Sequence, residues 1–145
     1  MDWKALLTSP RGRIGRRDFW RGFAVVMLAS IVLSLIPMVG QVVVLVLLWP
    51  QACIFAKRLH DSGRSGWLVL LPVAVTGAAI LLMGMVGGAG LFDVGVGFDT
   101  AMGPVIRIAM VPALFALGFL LWVGLSRGEE AANRYGTPPV GEAAG

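Results

Sequence analysis

Four apolar stretches alternate with short polar segments along the chain. The run from Phe19 to Ile36 carries no charge after Arg21, and Met38 to Ala56 is uncharged until it stops at Lys57-Arg58. Trp67 to Val86 and Ile108 to Leu125 complete the set. A helix that crosses a bilayer needs roughly 20 mostly apolar residues, so each run predicts one span: about 19–36, 38–56, 67–86 and 108–125. Pro37-Met38-Val39-Gly40 combines a helix breaker with a glycine and predicts a tight turn, which makes a hairpin of the first two spans. The first run is too long for the apolar region of a signal peptide and has no small-x-small cleavage site behind it.

The predicted fold is all-α, an integral membrane bundle of four transmembrane helices in a single domain over residues 1–136. The tail over 137–145, with Pro138-Pro139 and a Gly/Ala end, is expected to be disordered. Composition agrees: 57% of the residues are hydrophobic and 14% charged, against roughly 45–50% and about 25% in ordinary soluble domains. A soluble chain of 145 residues needs polar surface that this one lacks.

Charge then sets the orientation. The segment before and into the first span holds Lys4, Arg11, Arg13, Arg16, Arg17 and Arg21; the loop between the second and third holds Lys57, Arg58 and Arg64; the tail holds Arg127 and Arg134. Eleven of the twelve basic residues thus fall on one side of a four-span chain, and only Arg107 falls on the other, with Asp93 and Asp99. Cytoplasmic loops carry such an excess, so both termini are expected in the cytoplasm. Clusters of this kind beside apolar runs meet anionic lipids rather than nucleic acid, and the net charge of +4 is read in that sense.

Several residues read as structural. Pro50 lies in the second span and Pro112 in the fourth, with Gln51 placed to satisfy a carbonyl that Pro50 frees. Arg107 is expected to snorkel outward. Pairs of small residues four apart (Ser30/Ser34, Ala74/Ala78, Gly84/Gly88, Ala109/Ala113) suit close helix approach. The glycine-rich stretch from Gly87 to Gly103 predicts one external loop, in which Phe92-Asp93-Val94-Gly95 and Phe98-Asp99 offer too few oxygen ligands for calcium. The single cysteine, Cys53, sits in an apolar run and reads as a small buried hydrophobe.

Three polar segments carry the candidate chemistry, all on the predicted cytoplasmic side. The first is Gly12-Arg13-Ile14-Gly15-Arg16-Arg17-Asp18-Phe19-Trp20-Arg21, where a helix starting near Arg16 or Arg17 sets Arg17 and Arg21 one turn apart. Ahead of it, Trp3, Leu6 and Leu7 have the i, i+3, i+4 spacing of a short helix on the membrane surface. The second runs from Lys57 to Trp67. Lys57 and Arg58 suit the negative C-terminal end of the second helix, Ser62-Gly63 reads as a turn, Ser65 as a helix cap and Trp67 as an interface anchor. His60, Asp61 and Arg64 remain in what reads as one tight loop. The third is Asn133-Arg134-Tyr135-Gly136.

The GRIGRRDFW segment, the KRLHDSGRSGW loop and the NRYG tail resemble the bacterial inner-membrane family known as domain of unknown function 805. The resemblance extends from about Arg11 to Pro138. Arg58, Leu59, His60, Asp61, Gly63, Ser65, Gly66 and Trp67 match its loop motif, and Gly12, Arg13, Arg16, Phe19 and Trp20 match the first motif. In the tail Asn133 to Gly136 match, with Thr137 intervening before the prolines. The resemblance implies a multi-pass protein of the bacterial inner membrane and no specific activity.

Three readings of function compete. A non-enzymatic protein would use Arg13, Arg16, Arg17, Arg58, Arg64 and Arg134, with His60, Asp61 and the Ser65 hydroxyl, to bind an anionic headgroup or a partner protein; the bland counterpart is that these arginines enforce orientation and pair with Asp18 and Asp61. An interfacial enzyme would use His60 and Asp61 as an acid/base pair, but no second histidine, nucleophile elbow or metal-ligand set accompanies them, so no catalytic residue, metal or cofactor is assigned. A small oligomeric transporter or channel is the third, without the intramembrane charge that coupled transport uses. The expected partners are membrane lipids, anionic ones included, a further copy of the chain, or another membrane protein.

Overall fold

The computed structural model describes residues 3–36, 39–91 and 98–139, and these are helical apart from their connections and one isolated bridge in the tail. The elements are α1 (Trp3–Thr8), α2 (Arg16–Ser34), α3 (Val39–Asp61), a 3-10 turn (Gly66–Val69), α4 (Leu70–Leu91) and α5 (Phe98–Leu125). They fall into two compact units, one of Met1–Val69 with Val123–Gly145, the other of Leu70–Trp122. The expected tail beyond residue 139 lies outside the described residues, as do Pro37 and Met38 of the expected turn and the Phe92–Gly95 segment.

In the first unit α2 starts at Arg16, with Gly15 as its N-cap and Asp18 in its first turn, where a carboxylate complements the positive end of the helix. Phe19, Gly22 and Val26 form its buried stripe, at the i, i+3, i+7 spacing of one helix face. That stripe meets α3. The Phe19 ring packs edge-on to Phe55 at 5.2 Å, and a Cβ on Gly22 would stand 3.2 Å from Ile54 Cδ1 and 3.0 Å from Leu6 Cδ2. The short helix expected at Trp3, Leu6 and Leu7 is α1, and its Leu6 is the buried member. Ser30 and Ser34 bond back to the carbonyls of Val26 and Ile31, which satisfies their hydroxyls without a neighbouring helix.

α3 runs through Pro50 and past Lys57-Arg58 to Asp61. His60 and Asp61 therefore belong to the last helical turn and not to the tight loop expected for them. The helix closes by two backbone bonds, Arg64 N–H to the Leu59 carbonyl at 2.9 Å and Gly63 N–H to the His60 carbonyl at 3.1 Å, with Gly63 at φ 71°. This pairing with a left-handed glycine is the Schellman ending, so the Ser62-Gly63 turn signal marked a helix stop. Gln51 Oε1 is buried without a hydrogen-bond partner. Gly40, expected in a turn, is the second residue of α3, where a Cβ would stand 3.0 Å from Ser34 Cα.

The 3-10 turn ahead of α4 follows from Ser65, whose hydroxyl accepts the Trp67 N–H at 3.4 Å and whose carbonyl accepts that of Leu68 at 3.2 Å. Pro72 then enters α4 in its first turn, where a missing N–H costs least. In the second unit α4 reaches Leu91 and α5 already starts at Phe98, so helix takes up both ends of the stretch expected as an external loop from Gly87 to Gly103. Phe98 and Asp99 open α5, which contains Pro104 and Pro112. Arg107 is exposed and donates from Nε to the Gly103 carbonyl at 3.2 Å. Two segments, Gly66–Met85 and Gly103–Leu125, are long and apolar enough to cross a membrane.

Candidate functional site

The three polar segments meet in the first unit, around Asp61. Its carboxylate accepts from Arg13 Nε at 3.0 Å on one oxygen and from Arg58 Nη1 at 2.5 Å on the other. All three side chains are at most 1% exposed. Hydrogen bonds between a guanidinium and a carboxylate are the strong kind, and a buried carboxylate of this sort requires such partners.

The remaining donors of these arginines go to backbone carbonyls. Arg58 donates to Ile14 at 3.3 Å, to Val123 at 3.3 Å and to Ser126 at 2.5 Å. Arg13 donates to Ala131 at 2.8 Å, to Gly136 at 3.3 Å and also to Glu129. The last carbonyls of a helix have no partner within it and carry its negative end. Arg58 stands in the last turn of its own helix, as expected, and its guanidinium also closes the C-terminal end of α5. The Lys57 ammonium reaches the Ala5 carbonyl in α1, while Trp49 Nε1 donates to Thr8 at 3.3 Å. Side chains of α3 thus complete the ends of two other helices.

The tail is fastened by the same set. Glu129 N–H donates to the Asp61 carbonyl at 2.8 Å, and Asn133 Nδ2 donates to the His60 carbonyl at 3.0 Å and to Glu129 Oε2 at 2.7 Å. Asn133 and Gly136 exchange two backbone bonds, and the Tyr135 N–H caps Asn133 Oδ1 at 2.9 Å. Each of the three segments turns on a glycine of positive φ, Gly12 at 94°, Gly63 at 71° and Gly136 at 130°, a region that other residues rarely enter. Gly128 lies directly against the Asp61 carboxylate, and Gly124 lies against the rings of Phe19 and Trp20.

His60 and Asp61, weighed as an acid/base pair, turn to different partners. The His60 ring stacks on Tyr135 with centroids 3.8 Å apart and planes 8° apart, and its Nδ1 is 3.3 Å from the Gly12 carbonyl. The Arg134 guanidinium sits 4.8 Å from the centroid of the same tyrosine ring. Burial pushes the His60 pKa below its ordinary value, the Gly12 bond opposes this, and the Arg134 charge adds to the lowering. A histidine with a depressed folded-state pKa contributes stability that is present above the unfolded value of about 6.5 and is lost as pH falls through the folded value. Thermal unfolding in detergent is accordingly expected to show a drop in midpoint between neutral pH and pH about 5 that is smaller in His60→Gln. Equal drops in the two proteins would remove His60 as its source.

The other candidates sort by exposure. Arg16 donates from Nε to the Ser126 carbonyl at 3.1 Å and Arg64 from Nη1 to the Ser126 hydroxyl at 3.2 Å. Arg17 and Arg134 are exposed. Arg21, one turn from Arg17, pairs instead with Asp18 at 3.9 Å. Ser65 caps the turn ahead of α4. The sequence reading did not single out Ser126, Glu129, Gly124 or Gly128. The two glycines four apart at the end of an apolar run were the available signal; at Gly124 the end of α5 lies against α2, and at Gly128 the tail lies against Asp61 of α3.

The family model described as "Protein of unknown function (DUF805)" matches residues 7–137. The uncharacterized protein YiiR of Escherichia coli strain K12 is 34% identical over 141 residues, covering 90% of this chain and 85% of the relative. YiiR of Escherichia coli O157:H7 matches to the same extent. No solved structure matches.

Proposed function

Starting from a chain that belongs to the DUF805 family of proteins of unknown function, we propose that it is a four-span protein of the bacterial inner membrane with both termini in the cytoplasm. Its basic end engages anionic groups of the lipid surface or of a partner protein and performs no reaction. The observation that carries this reading is the division of labour among the arginines of the first unit. Arg13 and Arg58 turn inward to Asp61 and the helix ends, while Arg11, Arg17, Arg21, Arg127 and Arg134 remain exposed around them. Exposed guanidiniums beside apolar helices suit acidic headgroups.

The membrane reading of α2 and α3 is supported by their exposed apolar side chains, among them Val25, Leu28 and Val32 on α2 and Val42, Leu45 and Val46 on α3. Runs of this kind are unfavourable in water and ordinary in lipid. Against a reaction stands the geometry of His60 and Asp61: an acid and a base must both reach one substrate, and here one ring is stacked and the carboxylate is held by two arginines.

Topology reporters test the orientation. A reporter fused after Gly136 is expected to be active only as a cytoplasmic fusion, and one inserted after Gly95 only as an external one. The opposite signal at either position overturns the four-span reading.

A further inference from the structure

The exposed apolar surface of the first unit ends at a definite level. Among the described residues of α2, the exposed large apolar side chains begin at Val25; on α3 they run through Val42, Leu45, Val46 and Leu48 and end at Trp49. Past that point every residue from Cys53 to Leu59 is buried by protein. Between the two zones Leu6 of α1, Gly22 of α2 and Ile54 of α3 meet side by side. Asp61 lies seven residues beyond Ile54, about 10 Å further along the helix at about 1.5 Å per residue.

Tryptophan gathers at the same level. The first unit has four, each on a different element: Trp3 on α1, Trp20 on α2, Trp49 on α3 and Trp67 in the 3-10 turn. Trp20 is two residues from Gly22, and Gly66, just before Trp67, packs against Ala56 and His60. Trp3, Trp49 and Trp67 are 43%, 59% and 78% exposed. Trp49 gives its indole N–H to the Thr8 carbonyl and leaves the ring outside. Such rings favour the headgroup layer of a bilayer. The short helix α1 has two sides that suit that layer. Trp3 and Leu7, four apart, share the side next to Leu6, and Lys4 and Thr8 share the opposite one.

We propose that the surface of the cytoplasmic leaflet crosses the first unit where Leu6, Gly22 and Ile54 meet, and that α1 is its interfacial anchor, with Trp3 and Leu7 in the lipid and Lys4 toward water. This deepens the proposed function and rests on its placement of the basic end in the cytoplasm. The occupant of the surface is lipid because the anchor continues the exposed apolar belt of α2 and α3 without a break. The exposed charges Arg17 and Arg21 stand on the cytoplasmic side of Gly22, where acidic headgroups attract them. An amphipathic helix beds its apolar side about 5–10 Å into the boundary between headgroups and acyl chains. The Asp61 cluster and the tail fastened to it then stand clear of the bilayer, so their buried ion pairs form a small soluble head on a membrane stem. Leu6, the Lys57 bond to Ala5 and the Trp49 bond to Thr8 hold the anchor at its depth on α3.

The test is a spin-label depth measurement on the full chain in vesicles of phosphatidylethanolamine and phosphatidylglycerol. Labels are placed one at a time in a Cys53→Ala background, by Lys4→Cys, Leu7→Cys, Leu28→Cys and Arg134→Cys. Oxygen concentrates among acyl chains and a nickel chelate in water, so the ratio of their collisions with each label reads its depth. Oxygen is expected to dominate several-fold at Leu28→Cys and Leu7→Cys, and the chelate at Lys4→Cys and Arg134→Cys. Trp3→Cys, at an exposed position, carries the test if Leu7→Cys does not fold. A label at Leu7→Cys in water, with that at Leu28→Cys in lipid, overturns the anchor and leaves the broader membrane reading standing. Equal depths at positions 4 and 7 overturn the two-sided placement of α1. An Arg134→Cys label among acyl chains overturns the level assigned to the surface. A Leu28→Cys label in water overturns the membrane reading of α2, and the anchor with it.

Discussion

Replacing Asp61 with alanine is expected to unfold much of the detergent-solubilised protein, with a loss of about 3–5 kcal/mol or more. The substitution removes a carboxylate shared by two buried guanidiniums, Arg13 and Arg58, and leaves both charges without it. Breaking one buried pair by removing a partner already costs about 3–5 kcal/mol, a large share of the roughly 5–15 kcal/mol that holds a typical domain together. Asp61→Asn keeps the shape and one acceptor oxygen, so its loss should be smaller. Size-exclusion profiles after stepwise heating measure both; an Asp61→Ala protein as heat-resistant as the wild type would falsify the central role given to this residue.

Arg58→Met is the second large effect, expected at about 2–4 kcal/mol. Methionine retains most of the buried stem volume, so the loss isolates the guanidinium. Two differences set it below Asp61→Ala: Asp61 keeps Arg13, and the Ser126 carbonyl keeps Arg16. The carbonyls of Ile14 and Val123 lose this donor. Because Val123 and Ser126 lead directly into the tail, damage should concentrate there. Trypsin cleavage after the exposed Arg127 is expected to accelerate by about tenfold or more, equivalent to about 1.4 kcal/mol of added local opening. Unchanged cleavage, or a loss greater than that of Asp61→Ala, would contradict this ordering.

The helices were largely legible in the sequence. Apolar period and length located α2, α3, α4 and the core of α5, because a long apolar helix is a local pattern that needs no partner to be recognised. The start at Arg16, the cap at Ser65 and the short helix at Trp3 were visible for the same reason, whereas α3 was expected to stop at Lys57-Arg58 and runs on to Asp61. Boundaries failed where composition misled: Gly87, Gly88 and Gly90 continue α4, and α5 starts at Phe98.

The candidate site was legible only as a collection. Like charges on one side of a chain say where the residues lie, and nothing in local spacing tells which carbonyl a given arginine will reach. Arg58 and Val123 are 65 positions apart, and Arg13 reaches the Ala131 carbonyl across 118. Arg58 stands at the end of its own helix, as its charge predicts, but spacing did not show that it and Lys57 also reach the ends of α5 and α1. Asp61 was noted beside His60 as a possible acid; its burial between two guanidiniums makes it the anchor of the polar end instead.

That long reach bears on how the protein is made. A chain leaves the ribosome from its first residue onward, so Arg13, Arg58 and Asp61 are synthesised well before the carbonyls from Val123 to Gly136 that complete them. Until then α2 and α3 carry an unfinished polar end, and only the end of α5 and the segment after it can finish it. Truncation before Ser126 would therefore leave four apolar helices made and this polar end still open, with residues 126–136 acting as its clasp.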